Sequence, residues 1–219
     1  MNDESPTPPL PAAKTSSPVR WWSRELLRFA LVSLVVLLGV RTFLQPYAVE
    51  GSSMDPGLQD GERLFVSRAV YLHVDTTRLL NLLPGVERGG SNVVFPFDAP
   101  DRGDVLVFDA PTPSDEPYIK RVIALPGETV RIHDGAVYVD GGLLPERYLN
   151  PLGANPTDCT GRWCEVTVPP NSVYVLGDNR LPFQSIDSRA FGPIAYDRII
   201  GQALFSTWPL DTWGPIPGS

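Results

Sequence analysis

The stretch Glu50-Gly51-Ser52-Ser53-Met54-Asp55-Pro56-Gly57-Leu58 sets two hydroxyls side by side between a Gly and a Pro. Such a tract forms a stiff, exposed loop, and a serine there is ordinarily a turn residue. To act as a nucleophile, either hydroxyl needs a base, a group that orients the base, and donors for an oxyanion. Histidine does not supply the base. The chain has only His73 and His133, neither in the setting of a triad partner nor at metal-ligand spacing, and no Gly-x-Ser-x-Gly elbow is present. Both histidines read as ordinary surface or turn residues. Lys120 is the other candidate. In Tyr118-Ile119-Lys120-Arg121-Val122-Ile123 the alternation gives Tyr118, Lys120 and Val122 one face. A lysine turned inward is desolvated, which favours its neutral form and lowers its pKa. A neutral amine can serve as general base toward a serine hydroxyl. On the strand pattern alone, a snorkelling lysine on an edge strand is the commoner outcome.

These groups need a frame, and the composition suggests one built of strands. The chain has 219 residues, 42% of them hydrophobic, enough for one domain with a core plus appendages. Its 24 prolines and 19 glycines favour many turns and short strands. A net charge of -7 argues against a nucleic-acid partner, which requires a clustered basic face. Strands are expected at Glu62 to Ser67, after the turn Arg102-Gly103-Asp104 over Val105 to Phe108, at Tyr118 to Ala124, at Val173 to Leu176 and at Ile199 to Ser206. The clearest hairpin joins Thr129–His133 to Ala136–Asp140, because Asp134-Gly135 supplies the positive φ angles of a type I′ turn. Short strands at this spacing make the fold class mainly β, an antiparallel β domain. Residues 70–100 are less regular and read as an excursion, with a short amphipathic turn around Thr76 to Leu83 and an apolar run Val93 to Phe97.

The N-terminal part differs. Met1 to Pro18 is rich in Pro, Ser and Thr and cannot bury enough apolar surface to offset ordering entropy, so disorder is expected. Phe29 to Val40 is apolar all round, unlike a core helix with one polar face. A cleaved leader would need a small-x-small site after the run, and Tyr47-Ala48-Val49 offers none. The remaining reading is one transmembrane helix from about Leu26 to Tyr47, with Arg28 and Arg41 snorkelling and Trp21, Trp22, Phe43 and Tyr47 at the interfaces. Lys14, Arg20, Arg24 and Arg28 precede the span, while Glu50, Asp55 and Asp60 follow it. By the positive-inside rule the N-terminus is cytoplasmic and the rest extracytoplasmic. On that oxidising side, Cys159 and Cys164 read as a local disulfide.

Four blocks, in order, resemble the type I signal peptidases, membrane-bound Ser-Lys proteases that remove signal peptides from exported preproteins. They are Gly51-Ser52-Ser53-Met54-Asp55-Pro56-Gly57-Leu58, Arg102-Gly103-Asp104-Val105-Leu106-Val107-Phe108, Tyr118-Ile119-Lys120-Arg121-Val122-Ile123-Ala124-Leu125-Pro126-Gly127-Glu128, and Gly177-Asp178-Asn179-Arg180 with Ser185-Ile186-Asp187-Ser188-Arg189-Ala190-Phe191-Gly192. The resemblance implies Ser53 as nucleophile with Ser52 its neighbour, Lys120 as general base, and Ser185 as the serine that orients the amine. It implies that Asp187, Arg189 and Arg121 form a charge cluster bracing the site. It also implies a tail over 1–19, an anchor region over 20–46, and an extracytoplasmic β catalytic domain over 47–219.

This chain departs from the family pattern in three places. Gly57 stands where Thr is common. Gly51 stands where some members carry a serine that helps bind the oxyanion, which leaves that task to the Ser53 backbone N–H and a neighbouring donor. The segment Leu181 to Gln184 is longer than the usual form, so Ser188 is the alternative to Ser185. No cofactor or metal is expected. The partners implied are preprotein signal peptides, membrane lipid and the export machinery. A self-cleaving repressor with the same Ser-Lys chemistry would need a DNA-binding N-terminal domain, which the apolar run does not provide. A membrane-anchored β domain that binds a partner without catalysis is the alternative from another class. A degenerate member of that kind is expected to lack Ser53 or Lys120.

Overall fold

The computed structural model describes residues 18–68, 74–75, 93–94, 99–113, 116–149 and 156–216. The tail before Pro18, His73, the turn around Thr76 to Leu83, and Phe95 to Phe97 lie outside the described residues. The chain divides into two units, residues 1–41 and 42–219.

The first unit carries helix α1, Pro18–Phe43, which ends just inside the second. Leu, Val and Phe follow one another along α1 without a polar stripe, so it has no single face to bury. Its apolar side chains accordingly stand exposed, as Leu27 (70%) and Phe29 (71%) illustrate. Trp22–Phe43 contributes 22 residues long and apolar enough to cross a membrane, roughly 33 Å at about 1.5 Å per residue, against a hydrocarbon core of ~30 Å. The helix expected to run to about Tyr47 stops at Phe43. Strand β1, Leu44–Ala48, follows at once. Pro46 lacks a backbone N–H and is tolerated in β1 because β1 is an edge strand.

The second unit is built of antiparallel sheets. Besides β1, its strands are β2 Arg63–Ser67, β3 Val74–Asp75, β4 Val93–Val94, β5 Val105–Phe108, β6 Tyr118–Ala124, β7 Thr129–His133, β8 Ala136–Val139, β9 Gly142–Leu143, β10 Glu165–Thr167, β11 Ser172–Leu176, β12 Ile194–Ala195, β13 Ile199–Trp208 and β14 Gly214–Pro215. The largest sheet runs β1-β2-β13-β5-β6-β11-β12, with β14 also on β13. A second runs β10-β7-β8-β9, and β3 pairs with β4 across the excursion. The mainly β expectation therefore holds. The Asp-Gly hairpin is also present, with φ of 50° at Asp134 and 75° at Gly135.

Sequence alternation explains how the sheets pack. In β5, Leu106 and Phe108 face one cluster with Val122, Val173 and Ile194, while Val105 and Val107 face another with Leu64, Val66, Met54 and Leu58. A strand buried on both faces reads as a continuous apolar run, as Val-Leu-Val-Phe does. In β11 the same rule sends Val173 and Val175 one way and Tyr174 and Leu176 the other, into a third cluster with Ile123, Val130 and Val137. That third cluster ties the small sheet to the large one. His133 stays at the surface, stacked on Tyr138 at 4.3 Å, in keeping with an ordinary turn residue.

Candidate active site

The serine turn is fixed from below by its own apolar residues. Met54 and Leu58 are buried completely and join the cluster under β2 and β5, each contributing roughly 2 kcal/mol. Their backbones close on each other, with the Leu58 N–H donating to the Met54 carbonyl at 2.8 Å. Gly51, at φ 81°, lets the chain turn into this segment, and its N–H donates to Asp60 Oδ1 at 2.8 Å. Above the turn sits Gly177-Asp178-Asn179. The Asn179 N–H donates to the Ser53 carbonyl at 3.1 Å and its Nδ2 to the Ser52 carbonyl at 2.9 Å. A Cβ on Gly177 would collide with the Ser53 carbonyl oxygen and with Ser185 Oγ, so this close approach requires glycine.

β6 delivers Lys120 to the same point. Lys120 is only 3% exposed, and its Nζ hydrogen-bonds Ser53 Oγ at 2.6 Å and donates to the Ile119 carbonyl at 2.7 Å. Burial lowers its pKa from the ordinary 10.5 to about 8. The charges of Asp187 and Asp178 pull it back up, and that of Arg189 pushes it further down. A buried amine that gives up its proton near neutral pH, in contact with a serine hydroxyl, can act as a general base. The Ser53 backbone N–H makes no hydrogen bond to another described residue.

The sequence reading turned one of the two β6 cations inward. The structure buries both, because the β6 segment that carries Arg121 is covered on each side. Arg121 is fully buried. It grips Asp178 through Nε at 2.9 Å and Nη2 at 2.7 Å, donates Nη1 to the Gly103 carbonyl at 2.8 Å, and stacks on the Tyr148 ring at 4.2 Å. Asp178 in turn explains Gly57, since a Cβ there would collide with its Oδ2.

Asp187 and Arg189 form a separate pair. Asp187 is fully buried and caps α2, Ser188–Phe191. It accepts Arg189 Nε and Nη2 at 2.8 Å each, the Gly177 N–H at 3.1 Å and Ser185 Oγ at 2.8 Å. Burial alone would raise its pKa. The bonds and charge of Arg189, with those of Gly177 and Ser185, outweigh that and hold it below the usual carboxylate range. The Ser185 hydroxyl therefore bonds to this carboxylate, and among the described residues no hydrogen bond joins it to Lys120. Ser188 is occupied elsewhere, its buried Oγ accepting the Val175 N–H at 2.9 Å. Arg189 Nη1 reaches on to the Asp158 carbonyl at 3.2 Å, beside the Cys159–Cys164 disulfide (S–S 2.11 Å). Ser52 Oγ donates to Gln184 Oε1 at 3.2 Å.

A groove of about 570 Å³ opens on Ser53 and Lys120, walled by Tyr47 to Glu50, by Tyr118 and Ile119, and by Phe183 and Gln184. Sequence reasoning did not assign roles to Asp178, Asn179, Phe183 or Gln184. The Gly-Asp-Asn run was visible as a turn signature, but nothing local said what it clamps.

A family model described as signal peptidase, peptidase S26, matches residues 23–208. The chain belongs to that family. The matched span includes Ser53, Lys120, Ser185, Asp187 and Arg189. Among relatives, signal peptidase I of Bacillus amyloliquefaciens is 34% identical over 219 residues, covering 95% of this chain and 96% of that one. Signal peptidase I T of Bacillus subtilis is 35% identical over 209 residues, covering 91% of each. A solved signal peptidase I from Enterococcus faecalis is 32% identical, with a TM-score of 0.40, covering 48% of this chain and 97% of that one.

Proposed function

We propose that this member of the peptidase S26 family is a single-pass, membrane-anchored serine endopeptidase that cleaves signal peptides from preproteins through a Ser53–Lys120 dyad. The observation that carries the reading is the 2.6 Å contact between a buried, pKa-lowered Lys120 Nζ and Ser53 Oγ.

The substrate binds extended along the groove, by strand addition to an open sheet edge. Among the described residues, β1 pairs only with β2, and the Tyr118–Lys120 part of β6 only with β5, so each leaves an edge unpaired by them. Small side chains are required at the first and third positions before the cut, because larger ones would clash in shallow pockets. Neutral Lys120 takes the Ser53 proton as Oγ attacks the scissile carbonyl. The Ser53 N–H and a neighbouring donor stabilise the oxyanion, at about 3 kcal/mol per donor. The lysine ammonium then protonates the leaving amine as the C–N bond breaks. Water, deprotonated by the same lysine, hydrolyses the acyl-enzyme, and the proton returns to Ser53 Oγ. The charges of Asp187 and Asp178 act on the amine through space. The anchor, with its N-terminus in the cytoplasm, keeps the catalytic unit at the extracytoplasmic membrane surface, where the cleavage site emerges, and raises the encounter rate.

The deciding experiment is cleavage of a preprotein with an Ala-x-Ala site, in detergent, by the native chain beside Ser53→Ala and Lys120→Ala. Loss of cleavage in both is expected, and undiminished cleavage by either overturns the dyad.

A further inference from the structure

One wall of the groove is built by residues that the Ser-Lys chemistry does not use. Leu181-Pro182-Phe183-Gln184 makes a tight turn, closed by the Gln184 N–H donating to the Leu181 carbonyl at 3.2 Å. Both of its ends are tied to the residues that hold the nucleophile. At the start, the Leu181 N–H donates to Asn179 Oδ1 at 3.2 Å, and the same side chain clamps the Ser52 carbonyl. At the end, Ser52 Oγ donates to Gln184 Oε1 at 3.2 Å.

Inside this tethered turn Phe183 adopts φ 64°. A bulky residue is strained there, which Gly or Asn would largely avoid. The ring gains nothing in exchange from the fold. It is fully exposed at 102%, forgoing the stabilisation that burial of a Phe provides. It nevertheless lines the same groove as Ser53, Lys120 and Tyr118. A strained, solvent-facing aromatic ring, fixed to the nucleophile's own turn, is placed to meet whatever occupies that groove.

We propose that Phe183 is a specificity-determining residue that packs against an apolar side chain of the bound preprotein, with Gln184 and Ser52 holding its turn in place. The proposal rests on the peptidase reading above. The occupant is peptide, because Phe183 lines the same groove in which a bound chain would present its carbonyl to Ser53. The two small side chains before the cut are not its partner. The ring meets one of the remaining positions, and an apolar residue is favoured there.

The test is cleavage in detergent of a peptide set in which each position around an Ala-x-Ala site carries Leu or Ser in turn. The native chain is expected to prefer Leu at one position by roughly tenfold in kcat/KM, the scale of an apolar contact. Phe183→Ser loses that preference through KM, with kcat and the pH profile retained, and Gln184→Ala loses part of it. Absence of any apolar preference in the native chain, or an unchanged preference in Phe183→Ser, overturns the inference. So does a defect of Phe183→Ser that appears only in phospholipid vesicles, which would assign the ring to lipid. Because Phe183 is solvent-exposed, its replacement leaves folding intact. Unchanged preference in Phe183→Ser sinks this inference alone, whereas cleavage by Ser53→Ala sinks the dyad as well.

Discussion

Lys120 and Arg121 are neighbours on one strand, both cationic and both buried, yet their surroundings make them opposites. Arg121 has its charge answered in full by the bidentate Asp178, a carbonyl and an aromatic face. Lys120 has a serine hydroxyl, a carbonyl and an aromatic ring at 5.6 Å, with its carboxylates acting only through space. Burial with compensation gives a structural brace. Burial without it gives an amine that sheds its proton near neutral pH. Arg180 repeats the first pattern, held by Glu146, Thr157 and the Gly177 carbonyl, and Arg189 with Asp187 repeats it again. Each of these three arginines is thus paired with a carboxylate, whereas Lys120 is held by a hydroxyl and a carbonyl.

The comparison breaks or sharpens at specific residues. The largest effect belongs to the dyad, where Ser53→Ala and Lys120→Ala each lower kcat by roughly 10⁴-fold or more in the preprotein assay. Lys120→Arg does the same, because a guanidinium cannot act as base. Next comes stability. Arg121→Met leaves Asp178 buried without a partner and lowers the unfolding free energy by about 3–5 kcal/mol in denaturant titrations. Lys120→Met has the opposite sign. Lowering a pKa from 10.5 to about 8 costs the folded state roughly 3 kcal/mol at about 1.4 kcal/mol per tenfold. That cost is complete below pH 8, where folded and unfolded chains both carry the proton. It shrinks between pH 8 and 10.5 and vanishes above. Lys120→Met therefore stabilises most below pH 8. If it destabilises there, the contrast between the two cations fails.

A subtler effect concerns pH. Because the base must be neutral, kcat/KM rises through about pH 8 and levels above it. Asp187 holds the lysine pKa up and Arg189 pushes it down, so Asp187→Asn moves the rising limb toward lower pH even as it lowers the maximum. A limb that stays in place would remove Asp187 from the electrostatics of the base. The smallest effect is expected for Ser52→Ala, less than tenfold in kcat/KM, since its hydroxyl meets Gln184 and not Lys120.

Much of this was legible in the chain itself. The all-apolar run gave an unburied helix, Asp134-Gly135 gave the hairpin, and continuous Val-Leu-Val-Phe gave a strand covered on both sides. These are short-range consequences of periodicity and backbone preference, readable residue by residue. Strand ends were less legible, because the point at which α1 yields to β1 depends on pairing with β2, which sets Leu44 against Ser67 well beyond its local neighbours.

Ser53 and Lys120 were likewise chosen from the sequence, by block order and by the alternation of β6. What the sequence could not fix was which charge answers which. Arg121 takes Asp178, Ser185 gives its hydroxyl to Asp187, Asn179 clamps the serine turn, and Phe183 is left facing the groove. The partners of Arg121 and of the serine turn come from segments distant in sequence, and even the local Ser185–Asp187 bond is decided within a few tenths of an ångström. The chain alone pointed to the main strands, to the helix, and to Ser53 and Lys120 as the candidate pair. Only the tertiary structure decided that one buried cation is paired and its neighbour is not, because that depends on where the loop carrying Asp178 comes to rest.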